Sequence, residues 1–337
     1  MEFFGLDIGS QNIKLAQLKK IKDKYQLVAF GSAPSTTRGL ISEAEGDLTA
    51  LAEIIKKLHR DVGIKTKNVA TALPQDQVFA RMITLPFLSE EEIESALQWE
   101  AEQYIPIPLS EAILTYEIVN RKKENNRENI DLLLAAAPRS LVEKAVTALK
   151  MADLNPVSME MEIISIARSL VSSENETVLV IDFGAKATDL AVVENRKVIF
   201  VYSIPTAGEA FTRAISLELG LEFSQSEAYK RSYGVDPEKL EGKINEAIKP
   251  ILNTIVNEIK KTIQFYQDKG KSIKRIVLAG GGAALPQINI LLAKELNLEV
   301  QIGDPFSQVV EDDLLNKIPA TERALYSVAL GLAIKEI

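Results

Sequence analysis

Apolar residues change their spacing several times along the 337 residues, and each change predicts an element. Residues 3–8 and 13–18 are dense in apolar side chains with Gly9-Ser10-Gln11-Asn12 between them, which predicts two strands and a hairpin turn. A third strand is expected at 25–30. Leu48, Leu51, Ile54, Ile55 and Leu58 recur at helical spacing, so 47–60 reads as an amphipathic helix. His59 lies near its end and reads as a surface residue rather than a ligand. From residue 81 the pattern changes. A strand at 81–85 is followed by Ser89-x-x-Glu92, a capping box that opens a helix to about 105. Strands at 113–119 and 130–136 flank a polar loop over 121–129. Ser140-x-x-Glu143 is expected to cap a helix to 154, and 156–159 begins another strand. This β-α-β-β-α-β order over about 75 residues describes a compact α+β module. Because βα patterns resume on both sides, the module reads as an insertion.

After residue 172 the chain predicts strands at 178–183, 189–193 and 197–204, then helices at 210–219, 224–233 and 251–267. In the last of these Ile251, Ile255, Ile259 and Ile263 recur every four residues. Residues 275–279 read as a buried strand and Gly280-Gly281-Gly282 as a turn. A helix over 286–296 has Pro286 near its first turn. The last helix is expected at 321–334.

Comparing the chain with itself adds the most. Leu6-Asp7-Ile8-Gly9-Ser10-Gln11-Asn12-Ile13-Lys14-Leu15-Ala16 aligns without a gap on Ile181-Asp182-Phe183-Gly184-Ala185-Lys186-Ala187-Thr188-Asp189-Leu190-Ala191, at a constant offset of 175. Each copy is strand, Asp-x-Gly turn, strand, so the chain reads as two related halves. A glycine beside such a turn lets backbone N–H groups approach phosphate oxygens. The aspartate suits Mg2+, which prefers hard oxygen ligands and retains waters. One Asp-x-Gly alone is ordinary turn chemistry; two in register point to a triphosphate gripped from both sides. The glycine run at 279–282 suits an adenine against bare backbone, and suits a tight strand–helix turn equally. Neither a Walker Gly-Lys-Ser/Thr nor a Gly-x-Gly-x-x-Gly with a downstream acid is present. Ser224-x-x-Glu227-x-x-Lys230 reads as a capping box with Glu227 and Lys230 on one helix face, which in isolation is a solvated pair.

Composition narrows the field. With 39 Lys and Arg against 47 Asp and Glu the net charge is −8, which argues against nucleic acid as a partner. No cysteine is present, so thiol nucleophiles, disulfides and cysteine-based metal sites are excluded. A single histidine excludes multi-histidine metal sites and argues against a Ser-His-Asp triad. At 46% apolar the chain has material for a sizeable core, and its length suggests two domains. The N-terminus lacks a basic segment, Asp7 interrupts any apolar stretch, and no apolar run is long enough to span a bilayer. The expectation is a cytoplasmic protein with no direct membrane insertion.

These pieces, in this order, resemble the ATPase superfamily of actin, the heat-shock chaperones and the sugar kinases. The first phosphate hairpin would be 7–14, the second 182–189, the adenosine motif 276–285, and the connecting helices would follow Met159 and cover 326–334. The resemblance implies an α/β, actin-like (ribonuclease H-like) duplicated two-domain ATPase fold with an inserted α+β subdomain in the first half. Placing the insertion there resembles the division protein FtsA. The implied boundaries are 1–80, 156–172 and 321–337 for the first domain, and 81–155 for the FtsA-type insert. The second domain would be 173–320, with 206–274 as its helical subdomain.

Leu85-Pro86, Ser89-Glu90-Glu91-Glu92-Ile93 and Trp99-Glu100-Ala101-Glu102-Gln103-Tyr104-Ile105-Pro106-Ile107-Pro108-Leu109 resemble the signature of the PilM family of type IV pilus assembly, a likeness that covers essentially the whole chain. Read without that likeness, Trp99 and Tyr104 pack a helix that Pro106 and Pro108 end. The resemblance implies an ATP-binding protein, peripheral to the inner membrane, that recruits the cytoplasmic N-terminal peptide of a PilN-like membrane protein. Through that peptide it would reach PilO and the pilus motor, with the 81–108 side as the docking region; self-association stays open. By position, Asp7, Gly9, Ser10, Gln11 and Lys14 would hold the phosphates of ATP from one side. Asp182, Gly184, Ala185, Lys186 and Thr188 would hold them from the other, with Asp7 and Asp182 nearest Mg2+. Gly208, Glu209, Glu227 and Lys230 would approach ribose and adenine, over Gly280, Gly281 and Gly282. Ala185, Ala187 and the long Lys186 depart from the superfamily's glycine-rich second hairpin. No catalytic group is assigned; Glu160 and Glu162 are the nearest candidates, although their alternation with Met159 and Met161 suits a strand edge. Tight binding with slow hydrolysis is expected.

Two rival readings fit the sequence less well. A sugar-type kinase needs a catalytic aspartate in a glycine-rich sugar site, which the sequence between the hairpins lacks. An FtsA-like filament anchor ends in a basic amphipathic helix, whereas this sequence stops at 333–337, directly after its last expected core helix.

Overall fold

The computed structural model describes residues 1–36, 39–124 and 127–337. The first half opens with β1 (Phe4–Ile8), β2 (Asn12–Ile21), β3 (Lys24–Pro34), α1 (Glu45–Val62) and β4 (Asn68–Leu73). The next elements are β5 (Phe79–Pro86), α2 (Glu90–Tyr104), β6 (Ala112–Glu124), β7 (Arg127–Pro138), α3 (Arg139–Met151), β8 (Asn155–Met161) and α4 (Glu162–Leu170). The second half has β9 (Thr177–Phe183), β10 (Thr188–Glu194), β11 (Lys197–Ile204), α5 (Gly208–Leu219), α6 (Phe223–Tyr233), α7 (Lys243–Asp268), β12 (Arg275–Ala279), α8 (Ile288–Leu296), β13 (Glu299–Ile302) and α9 (Ser327–Ala333).

The repeat seen in the sequence is a repeat of topology. One sheet runs β3-β2-β1-β4-β8 and the other β11-β10-β9-β12-β13. In each, an antiparallel three-strand meander is extended by two parallel strands. Strands covered on both faces read as unbroken apolar runs rather than alternations; β1 is buried at every position.

Two helices join the halves. α9 lies so close to its neighbours that a Cβ on Gly331 would fall 1.8 Å from the Ser165 carbonyl oxygen of α4, and one on Gly5 of β1 would fall 2.0 Å from the Ala329 carbonyl oxygen. Only glycine fits either contact.

The insert is smaller than expected. β5, β7 and β6 form a three-stranded sheet. Its apolar face, with Ile83, Leu85, Ile130, Leu132 and Leu134, packs with Ile93, Leu97 and Ala101 of α2. Ser89 caps α2 in the predicted reciprocal way. The expected last helix and strand belong elsewhere: Leu141, Ala145, Ala148 and Leu149 of α3 join the core of the first half, and β8 pairs in parallel with β4. The expected span of 81–155 therefore overruns, because spacing alone does not say which sheet a strand joins. Ser140 caps nothing; α3 begins at Arg139 behind Pro138, without a side-chain cap. The polar stretch 121–129 continues both strands instead of looping, up to Glu124 and from Arg127; its middle, 125–126, lies outside the described residues.

Polar ties cross between the halves away from α4 and α9 as well. The Lys197 ammonium at the start of β11 donates to the Ile118 carbonyl of β6 at 2.7 Å, beside the bulge between Ile118 and Asn120. Tyr25 of β3 exchanges hydrogen bonds with the 308–310 segment, Tyr25 N–H to Gln308 O at 3.0 Å and Val310 N–H to Tyr25 O at 2.7 Å. Among the described residues no helix is long and apolar enough to cross a membrane.

Candidate functional site

The two hairpin turns face each other across a cleft of about 590 Å³, within the range of small-molecule sites. Each turn needs its glycine. A Cβ on Gly9 would meet the Asn12 carbonyl oxygen at 2.7 Å, and one on Gly184 the Ala187 carbonyl oxygen at 2.8 Å. The glycine run after β12 closes over the second hairpin. Gly280 takes a φ of 75°, and a Cβ there would sit 2.2 Å from Asp182 Oδ1. A Cβ on Gly282 would sit 2.6 Å from Cβ of Phe183.

The cleft brings together most of the residues expected from the sequence. Asp7, Gly9, Ser10, Gln11 and Lys14 line it from the first half, and Asp182, Gly184, Ala185, Gly208, Glu227, Lys230, Gly280, Gly281 and Gly282 from the second. Three do not join them. Lys186 lines only a smaller cavity of about 90 Å³ beside the cleft. Thr188 is fully buried and donates to the Thr206 carbonyl at 2.8 Å, so it braces the hairpin. Glu209 lines neither cavity; its N–H donates to the Ala185 carbonyl at 2.8 Å, which docks the start of α5 on the hairpin.

Electrostatics concentrate where the hairpins meet. Asp7 and Lys14, partners across β1 and β2, form a buried ion pair at 2.7 Å. Burial opposes the Lys14 charge, but the Asp7 carboxylate, with Asp182 and Glu162 beyond, raises its pKa overall. Burial, with the Asp7 charge behind it, raises Asp182 to about 7, against the pull of Lys14. Asp189 is likewise raised to about 7 by burial and then by Asp182, against the Ser203 hydroxyl. Glu162, the first residue of α4, is pushed well above the usual carboxylate range by burial and by Asp7, Asp182 and Asp189. Four carboxyl groups, of Asp7, Glu162, Asp182 and Asp189, outnumber the two lysines beside them, Lys14 and Lys186. The hard oxygens suit Mg2+, and Asp189 Oδ1 has no hydrogen-bond partner. Among the described residues no three acidic or histidine groups converge closely enough to hold an ion by themselves. An ion there would bring ligands of its own, water or phosphate.

At the other end of the cleft the expected solvated pair is a buried network. Lys230, 6% exposed, donates to Gly208 O at 2.9 Å, Thr212 Oγ1 at 2.9 Å and Glu227 Oε2 at 2.6 Å. Burial lowers its pKa against the pull of Glu227. Arg231 donates to the other Glu227 oxygen at 2.8 Å. Ser224 caps nothing, since α6 starts after Glu222 without a side-chain cap.

Glu160 is withdrawn as a catalytic candidate. It is gripped by Arg168 at 2.6 and 2.9 Å and by Lys335 at 2.7 Å, a latch between β8, α4 and the segment after α9. Glu162 stays, lining the cleft and accepting the Gln75 N–H at 3.4 Å. Sequence reasoning passed over Asp189, Arg231 and the 321–328 segment that closes the cleft. Asp189 was within reach, because it stands where the repeat has Lys14.

Trp99 does not pack as the bare sequence suggested. It is 76% exposed on α2, while Tyr104 is half-buried beneath the Arg81 guanidinium, 4.1 Å from its ring centre.

The comparisons agree with this architecture. The PilM–PilN type IV pilus biogenesis complex contains a chain 28% identical to this one, with a TM-score of 0.87 over 99% of this chain and 98% of that one. The cell division protein FtsA of Enterococcus hirae is 22% identical over 349 residues, 90% of this chain and 78% of its own. An MreB of Spiroplasma citri bound to AMPPNP is 15% identical with a TM-score of 0.55, covering 98% of this chain and 95% of that one, a likeness of fold alone. The duplicated halves thus form an actin-like fold. The family model described as type IV pilus assembly protein PilM matches residues 5–337, and the chain belongs to that family.

Proposed function

We propose that this protein is an ATP-binding adaptor of the type IV pilus inner-membrane platform, with the cleft holding Mg·ATP and the insert side holding the cytoplasmic N-terminal peptide of a PilN-like membrane protein. The observation that carries this reading is the 28% identity, over nearly the whole of both chains, with the PilM–PilN complex. The surface of α2 supports it. Trp99 stands exposed on α2, a helix whose Glu91, Glu94 and Glu102 are exposed as well, the mixture of apolar anchor and acidic surround that an amphipathic basic peptide seeks. Contact with the membrane, PilO and the pilus motor would run through that partner.

Within the cleft, Lys14 would meet the phosphates and Asp182 would lie nearest the ion. Mg2+, when bound, supplies the charge that the carboxylates lack. Glu162 is the group placed to orient a water. Burial raises the Glu162 carboxyl above its ordinary range, which makes it a stronger base once ionised but leaves it less often in that form.

The test is a calorimetric titration of the purified protein with the partner peptide, with and without Mg·ATP. Saturable one-to-one binding is expected, and no binding in either state would sink the adaptor reading. Asp182→Ala should abolish Mg·ATP binding while leaving the fold intact; unchanged affinity would remove Asp182 from the site.

A further inference from the structure

The second strand of each half runs back into a third, and the two hairpins so formed differ in length. At the offset of 175, β10 stops at Glu194, which matches Lys19, and its turn at Asn195-Arg196 matches Lys20-Ile21. β2 instead runs on, pairs Lys20 with Tyr25 and Ile21 with Lys24, and turns at Lys22-Asp23. It also outruns β1, whose ladder ends at Gly5 opposite Ala16, so residues 17–21 pair with β3 alone.

The extension adds charge rather than core. Lys19, Lys20, Lys22 and Lys24 are all exposed, with Asp23 the one acid among them, in a chain of net charge −8. Among the described residues Lys19, Lys22 and Lys24 form no ion pair, and Lys20 reaches only the exposed Glu336, at 3.9 Å. Val310 lies beside Tyr25, but the acids that follow it, Glu311, Asp312 and Asp313, make no ion pair with the tip either. Ile21 stands 41% exposed among these lysines. Lys22 holds a φ of 52° in a turn where glycine or asparagine is the ordinary choice. Ammonium groups crowded on one tip repel one another, so the arrangement suits a negative surface outside the chain.

We infer that the tip of the β2–β3 hairpin is a contact for an anionic lipid surface, with its lysines on the headgroup phosphates and Ile21 at the acyl boundary. Lysine stems let the charge reach headgroups while the hairpin stays outside the bilayer, and each lysine near such a surface gains about fivefold in binding. A nucleic-acid duplex is the poorer match, because its phosphates would leave Ile21 in water and the chain's overall charge opposes it. The adaptor reading brings the protein to the membrane through a partner peptide. The tip is a second foothold, and two weak attachments on one molecule reinforce each other.

Sedimentation of the full-length protein with vesicles, of phosphatidylcholine alone or with about one-third phosphatidylglycerol, tests this without nucleotide or peptide. Wild type should favour the anionic vesicles about tenfold or more at low salt, and added salt should erode the preference. Lys20→Glu with Lys22→Glu should abolish it. Lys56→Glu with Lys57→Glu, the same charge change at exposed positions of α1, should keep most of it. Asp23→Asn should strengthen binding about fivefold, a gain that misfolding cannot mimic, and Ile21→Ser should weaken it. Equal losses in the two double variants would reduce the effect to net charge and overturn the site. So would undiminished binding in Lys20→Glu with Lys22→Glu, or a tip that binds duplex DNA or polyglutamate and ignores vesicles. Each of these outcomes leaves the adaptor reading standing, because the partner-peptide titration contains no lipid.

Discussion

All three Nζ hydrogens of Lys230 are engaged by Gly208, Thr212 and Glu227, so this lysine shapes the wall of the cleft and keeps no donor for a ligand. Removing it would take the buried ammonium from Glu227 and leave that carboxylate only Thr212 and the exposed Arg231. Lys230→Met should cost about 3 kcal/mol in a urea melt, and Glu227→Gln in the same chain should restore most of it; full activity loss without destabilisation would show a direct role instead. The two glutamates at the start of α4 should separate cleanly. Glu162→Gln should lower single-turnover ATP hydrolysis about 100-fold or more with binding retained, whereas Glu160→Gln should leave turnover alone and lower stability. The aspartates also set a pH dependence. Their folded pKa values, about 7 against 3.8 when unperturbed, mean that the unfolded chain gives up these protons first. Their contribution is therefore full below pH 3.8 and lost as pH rises through about 7. Melting temperature in chelator should fall across that window, and Mg2+ should recover most of the loss above it.

At the level of elements, local chemistry was legible and pairing was not. The Ser89 capping box, the hairpins and the helical stripe of α1 follow from side-chain type at fixed spacing, and the structure has them. β4 escaped because Asn-Val-Ala-Thr-Ala-Leu replaces bulky β-branched residues with alanine, leaving little strand signal. α3 and β8 were read as elements but given to the wrong sheet, since partner choice is a long-range matter. The Ser140 and Ser224 motifs failed because a capping box needs its serine just outside the helix, and both lie inside one. α2 shows the converse, a residue whose exposure no local rule foretold. Trp99→Ala should weaken peptide binding about tenfold or more without moving the melting temperature, as a side chain 76% exposed contributes little to the core. A shifted melt with unchanged affinity would return Trp99 to a packing role.

Across the whole molecule the duplication was the most readable feature, because an ungapped offset needs no knowledge of contacts. It foretold two matching sheets and the glycines at the turns. It was less informative where the halves differ, and those differences carry the chemistry: lysine against aspartate across the hairpins, and an insert in one half only. Trp99 has a further use. It is the only tryptophan in the chain, so ultraviolet emission from the native protein reports one spot on the insert and needs no dye. A peptide settling over that indole would shift its colour to the blue, giving an optical titration. The cleft proposed for Mg·ATP is lined by no residue of α2. A colour change on adding nucleotide alone would be a signal carried between the halves, and the Lys197 link to the Ile118 carbonyl is one wire on which to look for it.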